Sequence, residues 1–229
     1  MSLDGICALL FDMDGVLIDT HTSVESFWNE LARKHQITLT AEDFERLIHG
    51  TQAWMTLDRY FAVLSADERR HVEADLTVYE DHLTYKLMPG VWDFLVLLKA
   101  HKIPTALVTS GSQRKVDAVF AQFDLSDKFD TVITADLVHH GKPDPECYRL
   151  AAQELSIPPQ ACIVFEDSVS GTQAGLSAGA QVIGLGKTQI LLELGATQVI
   201  PDFSVFTIKP SEQALLTLVA PPDLEVVIA

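Results

Sequence analysis

The chain reads as a three-layer α/β/α protein: a mostly parallel sheet with helices on both faces, interrupted after its first strand by a small helical insert. Three observations predict this. Short, continuously apolar runs recur, as strands buried on both faces require. Between them lie stretches of helical periodicity, so that strand and helix alternate. One long stretch, roughly residues 18–84, breaks the alternation with helical patterns and no convincing strand.

The elements follow in order. The first apolar run, 6–11, reads as a buried strand that ends at an acid; Met1, Ser2 and Leu3 ahead of it carry no expected role. From about 19 to 81 the texture changes. Phe27, Trp28, Leu31 and Ala32 recur at helical spacing, as do Phe44, Leu47 and Ile48, and again the stretch 55–64. "TAED" (40–43) and "SADE" (65–68) each place a capping hydroxyl ahead of first-turn acids, the signature of a helix start. "MPG" at 88–90 punctuates the return. Strands are then expected over 105–108, 131–133, 162–165 and 182–184, with helices near 92–100, 113–122, 145–154 and 170–178. The final "DLEVVIA" either adds an edge strand or frays. The expected division is a sheet domain of 1–17 and 85–229 and a helical domain of 18–84.

The totals bound what such a chain does. Its 229 residues are enough for one core plus an insert. The net charge of -16 argues against nucleic acid as a partner, because phosphate backbones demand lysine and arginine, and no basic cluster is present. No apolar run reaches the roughly 18 residues of a membrane helix, so no membrane partner is expected. The longest, "VWDFLVLL", is interrupted at Asp93. No basic region followed by an apolar stretch marks a secretory signal at the N-terminus. Cys7, Cys147 and Cys162 are odd in number and scattered, which predicts reduced thiols. The expectation is a cytoplasmic protein, monomeric, acting on a small molecule.

In parallel sheets, ligands sit at the carboxyl ends of the strands. Collected there are Asp12-Met13-Asp14-Gly15 after the first strand, Thr109-Ser110-Gly111-Ser112 after the second, "GKPDPE" with Lys142 after the third, and Glu166-Asp167-Ser168 after the fourth. Clustered carboxylates need a counter-charge, and an oxygen-only donor set suits a hard divalent cation such as Mg2+. An ionised Asp12 is then able to attack phosphorus and form an acyl phosphate. Asp14, two residues on, lies on the same side of an extended segment and is placed to move a proton. Lys142 and a hydroxyl from Thr109 or Ser110 would stabilise the charge spreading over the phosphoryl group.

These motifs resemble the haloacid dehalogenase superfamily of phosphatases and phosphomutases. "FDMDGVLIDT" matches its D-x-D-G motif, "ALVTSGS" its strand-ending hydroxyl, "GKPDPECY" its lysine and "VFEDSVSG" its acidic motif, in order over essentially the whole chain. The resemblance implies a Rossmann-like core with an inserted α-helical cap domain. It implies Asp12 as nucleophile, Asp14 as general acid/base, and Lys142 with Thr109, Ser110 and Gly111 around the phosphate. It also implies Mg2+ held by Asp12, Asp14 (through its backbone carbonyl) and Asp167, with Glu166 as a further ligand or as a support to the others. Thr109 is the preferred hydroxyl.

The acid at position 14 favours phosphoryl transfer over carbon–halogen cleavage, whose halide leaves without a proton. Similar sugar phosphomutases carry a cap histidine in T-A-x-x-H-x-x-A-W and a cap arginine in K-G-x-S-R. Here Val24 takes the histidine's place and Gln52 or Ala53 the arginine's. An arginine is the natural clamp for a second phosphate, so its loss favours hydrolysis. "IHGTQAWMTLDRYF" is similar to the cap of sugar and polyol phosphate phosphatases. The reading is a Mg2+-dependent phosphatase of small phosphorylated sugars or sugar alcohols, with a phosphomutase or a non-catalytic sugar-phosphate sensor as alternatives. His49 and Gln52 either face the substrate from the cap or serve as polar surface. Trp28 and Trp54 are expected in the cap core, His21 on the surface at the hinge, and His139-His140 in a solvated loop.

Overall fold

The computed structural model describes residues 2–186, 189–209, 216–221 and 223–228. Met1 and Ala229 of the sequence reading lie outside them. In chain order, β1 (Ser2–Ile6) and β2 (Ala8–Phe11) precede the helices α1 (His21–Lys34), α2 (Ala41–Asp43, continued by a π-helical turn Phe44–Ile48), α3 (Ala53–Tyr60) and α4 (Ala66–Asp81). After α5 (Val91–Ala100) come β3 (Thr105–Val108), α6 (Gln113–Phe123), β4 (Thr131–Ile133), α7 (Glu146–Glu154), β5 (Cys162–Glu166), α8 (Val169–Ala178), β6 (Gln181–Leu185), α9 (Ile190–Leu194) and β7 (Gln198–Ile200). Then follow β8 (Thr207–Lys209), β9 (Leu216–Ala220) and β10 (Leu224–Ile228).

The main sheet has the order β4-β3-β2-β5-β6-β7, and its neighbours pair in parallel. All four residues of β2 and of β3, and all five of β5, are buried, which is why they read as unbroken apolar runs. Alternate residues divide between the faces. Leu9, Phe11, Leu107 and Phe165 pack with Val91, Phe94, Val116 and Val119 of α5 and α6. Ala8, Leu10, Ala106, Val108 and Val164 pack with α7, α8 and α9 on the other face. Phe11 stacks on Phe165 at 5.0 Å in the neighbouring strand. Each such fully buried side chain contributes on the order of 1.5–3 kcal/mol. From β2 the chain builds outward through β3 and β4, then crosses to β5 on the opposite side of β2. That reversal opens a crevice at the carboxyl end of β2.

The run 6–11 is not one strand. Gly5 at φ 71° and a register shift between Leu3 and Ile6 turn the chain. Cys7 then bonds through its N–H to the Ala161 carbonyl at 2.8 Å. Only β2 enters the main sheet. β1, including Ser2 and Leu3 for which no role was expected, joins a second sheet of order β1-β10-β9-β8. Leu224 to Ile228 is therefore neither frayed nor at an edge, since β10 lies between β1 and β9. Its alternating buried Leu224, Val226 and Ile228 join Leu3, Ile6, Leu216 and Leu218 in the same core as Phe11.

The helical stretch has its own apolar centre of Trp28, Ala32, Phe44, Ile48, Leu57, Phe61, Leu64 and Val72. Both expected helix starts are reciprocal capping boxes: Thr40 with Asp43 and Ser65 with Glu68, each worth about 1 kcal/mol. The two crossings between helices and sheet run side by side. Asp19 N–H donates to the Lys86 carbonyl at 2.9 Å, and Met88 N–H to the Leu17 carbonyl at 3.0 Å.

Candidate active site

Asp12 follows β2 directly, 2% exposed, its N–H bonded to the Phe165 carbonyl at 3.1 Å. Lys142 reaches in from the loop after β4, 1% exposed. Its Nζ donates to Asp12 Oδ1 at 2.5 Å, Glu166 Oε1 at 2.6 Å and the Val108 carbonyl at 3.2 Å. One buried cation thus serves two carboxylates. Burial pushes the Asp12 carboxyl well above the usual carboxylate range, with Lys142 opposing and its acidic neighbours adding to the rise. Burial disfavours the Lys142 ammonium, but Asp12 and Glu166 outweigh it and hold its pKa above the ordinary value.

Glu166 is fully engaged. Besides Lys142, Oε1 accepts from the Tyr148 hydroxyl at 2.7 Å, and Oε2 accepts from the Ser168 hydroxyl at 2.9 Å and from the Asp167 and Ser168 N–H groups. The helix α8 begins against this carboxylate, and a Cβ at Gly171 would overlap it. Asp12, Glu166 and Asp167 each bring a carboxylate oxygen within 4.8 Å of the others. Asp12 Oδ2 and Asp167 Oδ1 are buried without a hydrogen-bond partner among the described residues. Two orphaned anionic oxygens in an all-oxygen cluster fit a hard divalent cation. Glu166, its bonds filled, is suited to brace Asp167 and Lys142 more than to donate to the ion.

The Asp14 carboxylate points elsewhere. It accepts two bonds from Lys115 Nζ, at 2.8 and 2.9 Å, and one from the Thr20 hydroxyl at 2.7 Å. Burial raises Asp14, but the Lys115 charge and these hydrogen bonds outweigh it and hold the carboxyl below its ordinary value. Lys115 also pairs with Glu80 of α4 at 2.9 Å, so one lysine joins the D-x-D motif to the cap. Sequence reasoning missed both Lys115 and Glu80. A signal was present: Lys115 sits in the first turn of α6 and Glu80 in the last turn of α4. Each opposes its helix dipole, so something else must hold it there. As a helical side chain, Lys115 leans back toward its N-terminus, over the Thr109–Ser112 loop.

In that loop the Thr109 hydroxyl accepts the Gly111 N–H at 2.9 Å, while the Ser110 hydroxyl donates to the Gly50 carbonyl of the cap at 2.8 Å. Between cap and sheet lies a cleft of about 480 Å³, lined by Asp12, Asp14, Asp167, the Thr109–Ser112 loop, Gly50 and Lys115, and by cap residues that include His49 and Gln52. This volume suits a small organic ligand.

One cap residue departs from expectation. Trp54 is not in the cap core; it lines the cleft at 49% exposure, its indole N–H bonded to Gln52 Oε1 at 2.7 Å. Trp28 is buried in the cap core as expected, with an edge on the cleft. His21 is exposed at the hinge as expected, 48% of its side chain accessible, but it also reaches a strand-end acid. Its Nε2 donates to Asp167 Oδ2 at 2.5 Å, and its ring stacks on His49 at 4.5 Å. The hydrogen bond to Asp167 raises the His21 pKa against the opposing effect of burial, whereas burial, aided by the neighbouring His21, lowers that of His49. Asp167 is raised by burial, with the His21 bond pulling the other way. His139 and His140 lie in an exposed loop, their N–H groups held by Glu146. Burial pushes the free thiols of Cys147 and Cys162 up to about 11, so neither is a reactive thiolate.

Residues 6–179 match the haloacid dehalogenase-like hydrolase family, and the chain belongs to it. It is 37% identical over 183 residues to hexitol phosphatase A of Escherichia coli, covering 77% of this chain and 81% of that one. It is 33% identical over 212 residues to a phosphorylated carbohydrates phosphatase of Thermotoga maritima, covering 88% and 97%. Among solved structures it is similar to the beta-phosphoglucomutase of Clostridium difficile, with a TM-score of 0.76 and 28% identity over 86% of this chain and 92% of that one. Within the family, the chain is a phosphoric monoester hydrolase.

Proposed function

We propose that the chain hydrolyses small phosphorylated sugars or sugar alcohols through an aspartyl-phosphate on Asp12, with Mg2+ bound by Asp12, Asp167 and the Asp14 backbone carbonyl. The cation, when bound, would neutralise charge on the phosphoryl oxygens and on the paired acids. Asp12 attacks phosphorus from the position that Lys142 holds, and the bond from phosphorus to the sugar oxygen breaks. Asp14 first takes up a proton against the pull of Lys115 and then gives it to the departing alkoxide. The deprotonated Asp14 then takes a proton from water as the water oxygen attacks the same phosphorus. The phosphorus–Asp12 bond breaks, inorganic phosphate leaves, and Asp14 is again protonated. Thr109 and the backbone around Gly111 bind the phosphoryl group throughout, while Lys142 keeps Asp12 in place.

The observation that carries hydrolysis over mutation is the composition of the cleft. No arginine lines it among the described residues, and its one lysine, Lys115, is already paired with Asp14 and Glu80. Gln52 and Ala53 are there instead. Such a lining offers hydrogen bonds to hydroxyls and an apolar indole at Trp54 to a sugar face, and no grip on a second phosphate.

The test is release of inorganic phosphate from a panel of hexose, hexitol and polyol phosphates, with β-glucose 1-phosphate isomerisation run in parallel. Release that Asp12→Asn abolishes is expected. Isomerisation outpacing release, full activity in Asp12→Asn, or thermal stabilisation by a sugar phosphate with no turnover would each overturn the reading.

A further inference from the structure

We propose that His21 is a positioning residue: from the first turn of the cap it fixes the Asp167 carboxylate and thereby sets the affinity of the cation site. This rests on the cation site read above. Asp167 comes from the loop after β5, and its side chain is 5% exposed. Among the described residues, its carboxylate has one side-chain partner, His21, which occupies Oδ2 and leaves Oδ1 unpaired. A buried carboxylate with one oxygen fixed cannot rotate to satisfy the other. It is therefore held as a donor waiting for an ion.

The surroundings are built for this bond. Gly15, at φ 78°, lies against it, and a Cβ there would overlap both Asp167 Oδ2 and His21 Nε2. The outer face of the imidazole is stacked on His49, whose own Nε2 is 3.4 Å from Glu25 Oε1. His21 is not itself part of the cluster of donor oxygens from Asp12, Glu166 and Asp167. It acts through Asp167. Because His21 opens α1 and Asp167 lies in the loop just after β5, the bond also ties the cation site to the cap at the hinge.

The experiment measures Mn2+ affinity directly, by electron paramagnetic resonance and calorimetry on the full-length protein without substrate. Wild type is compared with His21→Ala, His21→Gln and Asp167→Ala, each checked for an intact thermal transition. Loss of a partner that orients a metal ligand costs roughly 10–100-fold in affinity. The expected result is that loss in His21→Ala, partial recovery in His21→Gln, whose amide also donates, and abolition in Asp167→Ala. In turnover, the Mg2+ concentration for half-activation rises in His21→Ala while kcat at saturating Mg2+ stays within a few-fold. If Asp167→Ala binds Mn2+ like wild type, the cation-site reading fails and this proposal with it. If Asp167→Ala abolishes binding but His21→Ala and His21→Gln both bind like wild type, the positioning role alone is refuted.

Discussion

Replacing Lys142 by methionine removes a charge while keeping most of the volume, so it isolates the electrostatics of the site. In the wild type the ammonium lies between Asp12 at 2.5 Å and Glu166 at 2.6 Å, side chains that are 3% and 0% exposed. Removing one partner of a buried ion pair costs about 3–5 kcal/mol. Here a single loss strands two carboxylates, which places the cost near the upper end, about 4–5 kcal/mol at neutral pH without metal. Lys115→Met provides the scale. It also strands two carboxylates, but the Asp14 and Glu80 side chains are 25% and 21% exposed. Water reaches them, and about half the penalty, roughly 2 kcal/mol, is expected. Protonation offers Asp12 a way out. Burial already sets its folded pKa above the unfolded value with Lys142 opposing, and losing Lys142 raises it further. A carboxyl whose folded pKa is raised penalises the fold above that pKa and ceases to do so as pH falls through it. The Lys142→Met deficit is therefore largest at the alkaline end of a pH series and shrinks toward its acid end. The assay is urea denaturation in EDTA across that series, read as midpoints at constant slope. A deficit independent of pH, or one no larger than that of Lys115→Met, would refute this account of the buried pair.

Three further outcomes follow from the same geometry. Lys115 holds the Asp14 pKa down, so in Lys115→Met the limb of the kcat/KM profile governed by Asp14 moves to higher pH, as phosphate release from about pH 4 to 9 would record. Gly15→Ala meets both a left-handed backbone and an occupied space. It should destabilise by about 1–3 kcal/mol in thermal or urea unfolding and weaken Mn2+ binding. Trp54→Ala removes a half-exposed side chain that lines the cleft. Stability should change by no more than about 0.5 kcal/mol, while KM for a sugar phosphate rises several-fold with little change in kcat.

The chemistry at the strand ends was legible because it is local. Parallel strands buried on both faces must be apolar throughout, so an acid, a hydroxyl or a lysine just past such a run stands out. Asp12, Thr109 and Glu166-Asp167 follow runs that became β2, β3 and β5, and parallel pairing brings their ends to one rim. The helix starts at Thr40 and Ser65 were legible for the same reason, since a capping box closes within four residues.

What only the tertiary structure decided depends on residues far apart in the chain. The run 6–11 belongs to two sheets because β10, near the other end, offers β1 a partner, and nothing within the run announces that pairing. That Tyr148 and Ser168 fill the hydrogen bonds of Glu166 also depends on residues brought together by the fold. The Lys115 bridge from Asp14 to Glu80, the exposed indole of Trp54 and the His21 bond to Asp167 all depend on how the helical cap docks over the strand ends. Periodicity says which face of a helix is apolar, but a polar residue on the other face reads alike whether it meets solvent or a buried carboxylate. By itself, then, the sequence determined which polar and charged groups stand at the strand ends and the strands that carry them. The docking of cap on sheet determined which charges are paired, which oxygens are left free and what surrounds the substrate, because those are settled by contacts between segments that no local pattern encodes.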